Sequence, residues 1–225
     1  MWVRFLPGAQ IMQQKNILPG IKVDLGAKDL ALHPEEKITE GLDGLRERLT
    51  EYKKLGARFA KWRAVITIEK NGTNGNSTAG EIPTNTCIKA NAHALARYAA
   101  LCQETDIVPM VEPEVLMDGS HTIKRCYEVT AKTLQTLFTE LTEQGVSLEG
   151  TILKTSMVLS GKDCPEQAEI EEVAKQTVKC LKENVPHTLA GIVFLSGGQT
   201  DEKATLHLDA MNRIVQTTPL PWPLS

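Results

Sequence analysis

Three segments of this 225-residue chain carry charged side chains at positions i and i+2: Lys22 and Asp24, Lys61 and Arg63, and Glu112 and Glu114. In an extended backbone that spacing puts both members of a pair on one face. A fourth segment sets Lys154 on the parity of Ile152, with Leu153 on the opposite face. Isolated charges are costly to bury, so a strand interior rejects them unless partners converge. One such pair alone is equally explained by a rim position and an ordinary ion pair. Four segments that each set charge on one face point to one shared site. A lysine amine, whose pKa in water is about 10.4, attacks a carbonyl readily once desolvation or a nearby cation frees it of its proton. Lys154 has both routes: Ile152, Leu153 and Met157 supply apolar surroundings, and Lys61 or Arg63 could supply the cation. The product would be a Schiff base, an electron sink that stabilises a carbanion without a metal. Proton transfer then needs a carboxyl group, for which Glu112 and Glu114 are the candidates.

A second motif, Gly191 through Gly198, reads as a strand followed by a small-residue turn, Ser196-Gly197-Gly198, and a helix start near Thr200. Glycines let backbone N–H groups approach an anion, and a helix N-terminus adds a favourable dipole. Alone this is an ordinary turn; beside a basic cluster it becomes a phosphate seat. His33, His93, His121, His187 and His207 lack ligand spacing and read as structural or surface residues. The sequence contains no His-Glu-x-x-His, Walker, Gly-x-Ser-x-Gly or dinucleotide-binding motif.

The elements that must position these residues alternate. Apolar, β-rich runs cover 20–23, 59–68, 107–111, 151–158 and 191–195. Helical periodicity fills the gaps: Leu42, Leu45, Leu49 and Tyr52 before Gly56; Ile88 through Cys102 behind Thr86 as N-cap; Ile123 through Leu141 behind Ser120. A fourth helix is expected from Pro165 to about Glu183, and a fifth, shorter one after Thr200. Such alternation implies parallel strands and an α/β class. Asp24, Arg63, Glu112, Lys154 and Ser196 recur at intervals of 39, 49, 42 and 42 residues. Five such units fit the chain, whereas a closed (β/α)₈ barrel has eight strands and typically about 250 residues. Two architectures compete, an open doubly wound sheet and an incomplete barrel. Asn71 through Ala79 reads as an inserted loop, and the tail 218–225 looks cut just where another strand could begin.

Bulk properties narrow the class. A net charge of −3 and a pI near 6.0 argue against nucleic-acid or anionic-membrane partners. Five scattered cysteines without a Cys-x-x-Cys pair suggest neither zinc nor a disulfide framework, so a reducing, cytoplasmic setting is expected. No signal peptide is read near Met1, and the acceptor patterns at Asn71 and Asn76 read as loop composition.

The motifs Gly20-Ile21-Lys22-Val23-Asp24, Phe59-Ala60-Lys61-Trp62-Arg63, Val111-Glu112-Pro113-Glu114, Leu148 through Lys154 and Phe194 through Gln199 resemble, in this order, those of class I, Schiff-base, fructose-1,6-bisphosphate aldolases. The resemblance covers about residues 18 to 225. It implies a (β/α)₈ TIM barrel, here with five full units and the start of the last strand. It also implies reversible cleavage of fructose 1,6-bisphosphate to dihydroxyacetone phosphate and glyceraldehyde 3-phosphate. Lys154 corresponds to the imine lysine, Glu112 to the acid/base group for carbinolamine dehydration, and Lys61 and Glu114 to supporting residues. Lys22 and Arg63 correspond to sugar-phosphate ligands, and Ser196 and Gly197, with Gly198 beside them, to the loop for the phosphate of dihydroxyacetone phosphate. Implied besides are phosphorylated sugar partners, no metal or other cofactor, and the homotetramer usual in the family.

The chain departs from the family pattern in three ways. Thr155-Ser156 stands where the family commonly has Pro-Asn. The early strand with Ala-Ala-Asp-Glu-Ser, the strand after it and the terminal phosphate-gripping arginine have no counterpart. Residues 1–14 match nothing clearly and read as a possible foreign start. A single partial barrel domain, 1–225, is therefore expected, with poor stability and little cleavage activity. The alternatives are a non-catalytic remnant that binds phosphate ligands or an intact aldolase, and another Schiff-base enzyme such as a transaldolase.

Overall fold

The computed structural model describes residues 5–68 and 82–225, with side chains from residue 8. The expected loop from Asn71 to Ala79 lies outside the described residues. In chain order the elements are α1 (Phe5–Gln14), β1 (Gly20–Lys22), β2 (Ala27–Asp29), β3 (Lys37–Thr39), α2 (Leu45–Lys54), β4 (Phe59–Ile66) and α3 (Asn85–Glu104). They continue with β5 (Val108–Val115), α4 (Ile123–Glu143), β6 (Ile152–Thr155), α5 (Ile170–Asn184), β7 (Gly191–Phe194) and α6 (Asp201–Thr217).

The main sheet is parallel, in the order β1-β4-β5-β6-β7. Each new strand joins the same edge. A doubly wound sheet reverses at a switch point, so this order sets that alternative aside and leaves an arc of a barrel. Leu224 continues the progression through an isolated parallel bridge to Ile192, with Ser225 N–H donating to the Ile192 carbonyl at 3.1 Å. That is the expected start of a further strand.

Parity along the strands divides the structure into an inside and an outside. On β4, Ala60, Trp62 and Ala64 are wholly buried and Lys61 and Arg63 only half-buried. The outward residues pack under α3, where Trp62 meets Tyr98 at a 5.5 Å ring separation. On β5, Val111 and Val115 face the same way as Trp62, and on β6 so does Leu153. A fully buried large apolar side chain contributes roughly 1.5–3 kcal/mol, so the helix-facing side supplies cohesion and leaves the other side free to carry charge.

Several boundaries differ from the sequence reading. The α3 N-cap is Thr84, not Thr86: Glu36, itself buried, accepts from the Thr84 N–H and hydroxyl at 2.7 Å each, and Thr84 Oγ accepts from Cys87 N–H. Thr122 replaces Ser120 as the α4 cap, accepting from Arg125 N–H. Pro165 does not open α5, which starts at Ile170. Residues 161–163 instead bond across to the carbonyls of His121, Met117 and Gly119, and Gln167 ties back to Gly161 and Cys164. Helix α6, at 17 residues, outruns the 15 of α5.

Strand β5 runs four residues past Val111, through Pro109 and Pro113. Val108 and Leu116 both donate toward β4. Amides alternate along a strand, so the prolines turn their missing donors toward β6, whose pairing with β5 covers only Met110 and Val111 between them. The β2–β3 hairpin was absent from the sequence reading because Ala27-Lys28-Asp29 and Lys37-Ile38-Thr39 have no apolar run. Tertiary bonds hold it: Thr39 Oγ to the Arg63 carbonyl at 2.7 Å, and Asn91 Nδ2 to the Lys37 carbonyl at 2.8 Å.

Candidate active site

The charged residues of β4, β5 and β6 all point to the inner side, and strand register decides how they pair. Lys61 is level with Met110, and Arg63 with Glu112. Each cation nevertheless reaches two residues forward on β5: Lys61 Nζ lies 2.7 Å from Glu112 Oε2, and Arg63 Nε donates to Glu114 Oε2. Side chains on strands lean along the strand, which turns a level register into this advanced pairing. From the other side, Met110 is level with Ile152, so two residues on, Glu112 faces Lys154. Lys154 Nζ lies 3.0 Å from Glu112 Oε1. One carboxylate, with its side chain 4% exposed, thus sits between two ammonium groups on neighbouring strands.

Glu114 is also buried, and the Arg63 guanidinium covers it. Arg63 is held above its ordinary pKa, first by the bond to Glu114, then by the charges of Glu114, Glu112 and Asp24 against the opposing effect of burial. Asp24, read from the sequence as the i+2 partner of Lys22 and as a spacing marker, proves structural. Its Oδ2 accepts from Arg63 N–H at 3.2 Å and its Oδ1 from Gly26 N–H at 3.1 Å. Lys22, at the sheet edge, turns back onto Asp24 at 2.5 Å and stays half exposed, outside the Lys61–Glu112–Lys154 cluster.

A cavity of about 620 Å³ opens beside this cluster, lined by Arg63, Glu114 and Lys154 on one side and Ser196, Gly197 and Gly198 on the other. The expected imine lysine and phosphate loop therefore share a space. Gly197 and Gly198 have φ of +63° and +96°, a left-handed backbone that needs glycine, and a side chain at Gly197 would crowd Leu195 at 3.2 Å. Asp118 also lines the cavity and forms an ion pair with Lys162. It was missed in the sequence although it continues the parity of 112 and 114, because β5 has ended by Val115. Beyond Lys154, the Thr155 carbonyl accepts from Leu195 N–H, so the Thr155-Ser156 departure leaves the β7 pairing intact.

The fold and site together define a class: an α/β-barrel segment with a lysine–carboxylate centre and a glycine loop at the carboxyl ends of its strands. Comparison with known proteins agrees. The family model for fructose-bisphosphate aldolase class-I matches residues 6–225, reaching back into α1. The chain is 63% identical over 220 residues to a probable fructose-bisphosphate aldolase class 1 of Xanthomonas axonopodis, covering 98% of this chain and 62% of that protein. It is 49% identical over 209 residues to fructose-bisphosphate aldolase 1 of Toxoplasma gondii, covering 93% of this chain and 55% of that one. A solved aldolase of Plasmodium falciparum superposes with a TM-score of 0.90 at 45% identity, covering 97% of this chain and 60% of that one. The chain belongs to the class-I fructose-bisphosphate aldolase family, and it spans about three-fifths of the length of these relatives.

Proposed function

We propose that this chain carries the imine-forming centre of a fructose 1,6-bisphosphate aldolase, which forms and breaks the bond between dihydroxyacetone phosphate and glyceraldehyde 3-phosphate. The observation that carries the reading is the buried carboxylate of Glu112, shared between two ammonium groups, 3.0 Å from Lys154 Nζ and 2.7 Å from Lys61 Nζ. In this reading Lys154 passes a proton to Glu112 Oε1, and the free amine adds to the substrate ketone carbon. Glu112 returns the proton to the carbinolamine hydroxyl, which leaves as water with formation of the imine. Lys61 keeps a positive charge against Glu112 as the proton moves. Arg63 and the Ser196–Gly198 loop, which line one cavity with Lys154, suit the phosphate-bearing substrate. The chemistry uses no metal or other cofactor, since the imine is the electron sink.

Borohydride reduction in the presence of dihydroxyacetone phosphate tests this. A stable adduct on Lys154, mapped by peptide mass, is the expected result. An equal adduct on the Lys154→Ala chain, or none on the folded native chain, overturns it.

A further inference from the structure

His207, on α6, is buried and the site chemistry above does not use it. Its Nδ1 lies 2.6 Å from Gln199 Oε1. Gln199 Nε2 donates to the Ser196 carbonyl at 2.9 Å and contacts Met157 Sδ at 3.7 Å. The amide has one workable orientation, because turning it over would set two carbonyl oxygens 2.9 Å apart. Gln199 Oε1 therefore faces the imidazole, and Nδ1 must carry the hydrogen. The connection runs from α6 through His207 and Gln199 to the carbonyl that opens the glycine loop. It also touches Met157, three residues past Lys154. A loop containing Gly197 and Gly198 has large backbone freedom, and ordering it takes contacts from outside the loop.

We infer that His207 is a positioning residue: through Gln199 it holds the Ser196–Gly198 backbone in its phosphate-binding arrangement. The inference rests on the reading of that loop as a phosphate seat. His207 acts at one remove from any ligand, so its loss should loosen the loop and weaken phosphate binding without disturbing Lys154.

The native chain, His207→Ala and His207→Asn are compared by amide hydrogen exchange at residues 197–199 and by NMR titration with inorganic phosphate. In His207→Ala, loop exchange should quicken and phosphate binding weaken, each by roughly three- to tenfold, the equivalent of one neutral hydrogen bond. His207→Asn, whose amide can reproduce the Nδ1–H donor, should recover most of both. Unchanged loop exchange in a folded His207→Ala chain overturns the inference, as does an asparagine variant no better than alanine. If the alanine chain does not fold, asparagine is compared with glutamine, whose longer side chain misplaces the donor; equal behaviour of these two counts against the inference. Failure of the native chain to bind phosphate would instead remove the phosphate-seat reading, and the exchange data would still decide whether His207 holds the loop.

Discussion

Lys154 Nζ stands 3.0 Å from Glu112 Oε1, across neighbouring strands and two residues beyond the level pair of Met110 and Ile152. The contact places an amine and a buried proton acceptor within direct transfer distance.

Glu112→Gln should therefore affect chemistry and stability together. Removing the charge leaves Lys61 and Lys154 facing a neutral amide, and breaking a largely buried pair costs about 1–3 kcal/mol when the replacement still hydrogen-bonds. Urea denaturation should show that loss, and the rate of borohydride trapping on Lys154 should fall at least about tenfold. Native-like trapping would exclude Glu112 as the proton carrier.

Arg63 and Glu114 should behave as a coupled pair. Arg63→Met leaves the buried Glu114 carboxylate uncovered and should destabilise by about 1–3 kcal/mol, moderated by the partial exposure of Arg63. The double variant Arg63→Met, Glu114→Gln should regain part of that loss. Strict additivity of the two single effects in urea melts would show that they do not interact.

Neighbouring residues on β6 should separate cohesion from chemistry. Leu153 is wholly buried on the helix-facing side, so Leu153→Ala should cost about 2–5 kcal/mol. Lys154→Ala should cost about 1 kcal/mol or less, because Glu112 keeps Lys61, yet it should abolish trapping. Similar thermal midpoints for the two variants would contradict the division of the strand into two faces.

His121 should make stability depend on acid. Its side chain is buried, neither ring nitrogen has a hydrogen-bond partner among the described residues, and burial, then the charge of Arg125, holds its pKa below the usual histidine value. A folded pKa below the unfolded value of about 6.5 means that the unfolded chain takes up the proton first as pH falls. This contribution is complete above about pH 6.5 and is lost as pH drops toward the folded pKa. His207 has the same sign, from burial and then Lys203. Urea midpoints between about pH 5 and 7.5 should fall with acid in the native chain and fall less in His121→Leu; identical slopes would clear His121 of the effect.

The cysteines should be inert in the folded chain. All five are free and buried, and desolvation, the largest cause, pushes Cys87, Cys102 and Cys180 up to about 12. An aromatic disulfide reagent at about pH 8 should react slowly until denaturant is added, and then with all five thiols, because thiolate is the attacking form. Rapid native reaction of more than one thiol would mean that the core opens easily.

What the residues determined alone was local and periodic. The i, i+2 spacing of Lys61 with Arg63 and of Glu112 with Glu114 was enough to place them on one face, because side-chain direction in a strand depends only on parity. The strand–helix alternation gave an α/β class for a similar reason. The order of the strands was not legible, since an arc and a doubly wound sheet share the same local pattern. Nor was the advanced pairing that sends Lys61 to Glu112 and Arg63 to Glu114, which depends on inter-strand register. The choice of Thr84 over Thr86 as a cap rests on Glu36, 48 residues away in sequence. The β2–β3 hairpin and the His207–Gln199 tie likewise rest on partners outside their own segments. These features belong to tertiary structure because each is decided by which of several locally equivalent groups finds its hydrogen-bond or ionic partner when the chain packs.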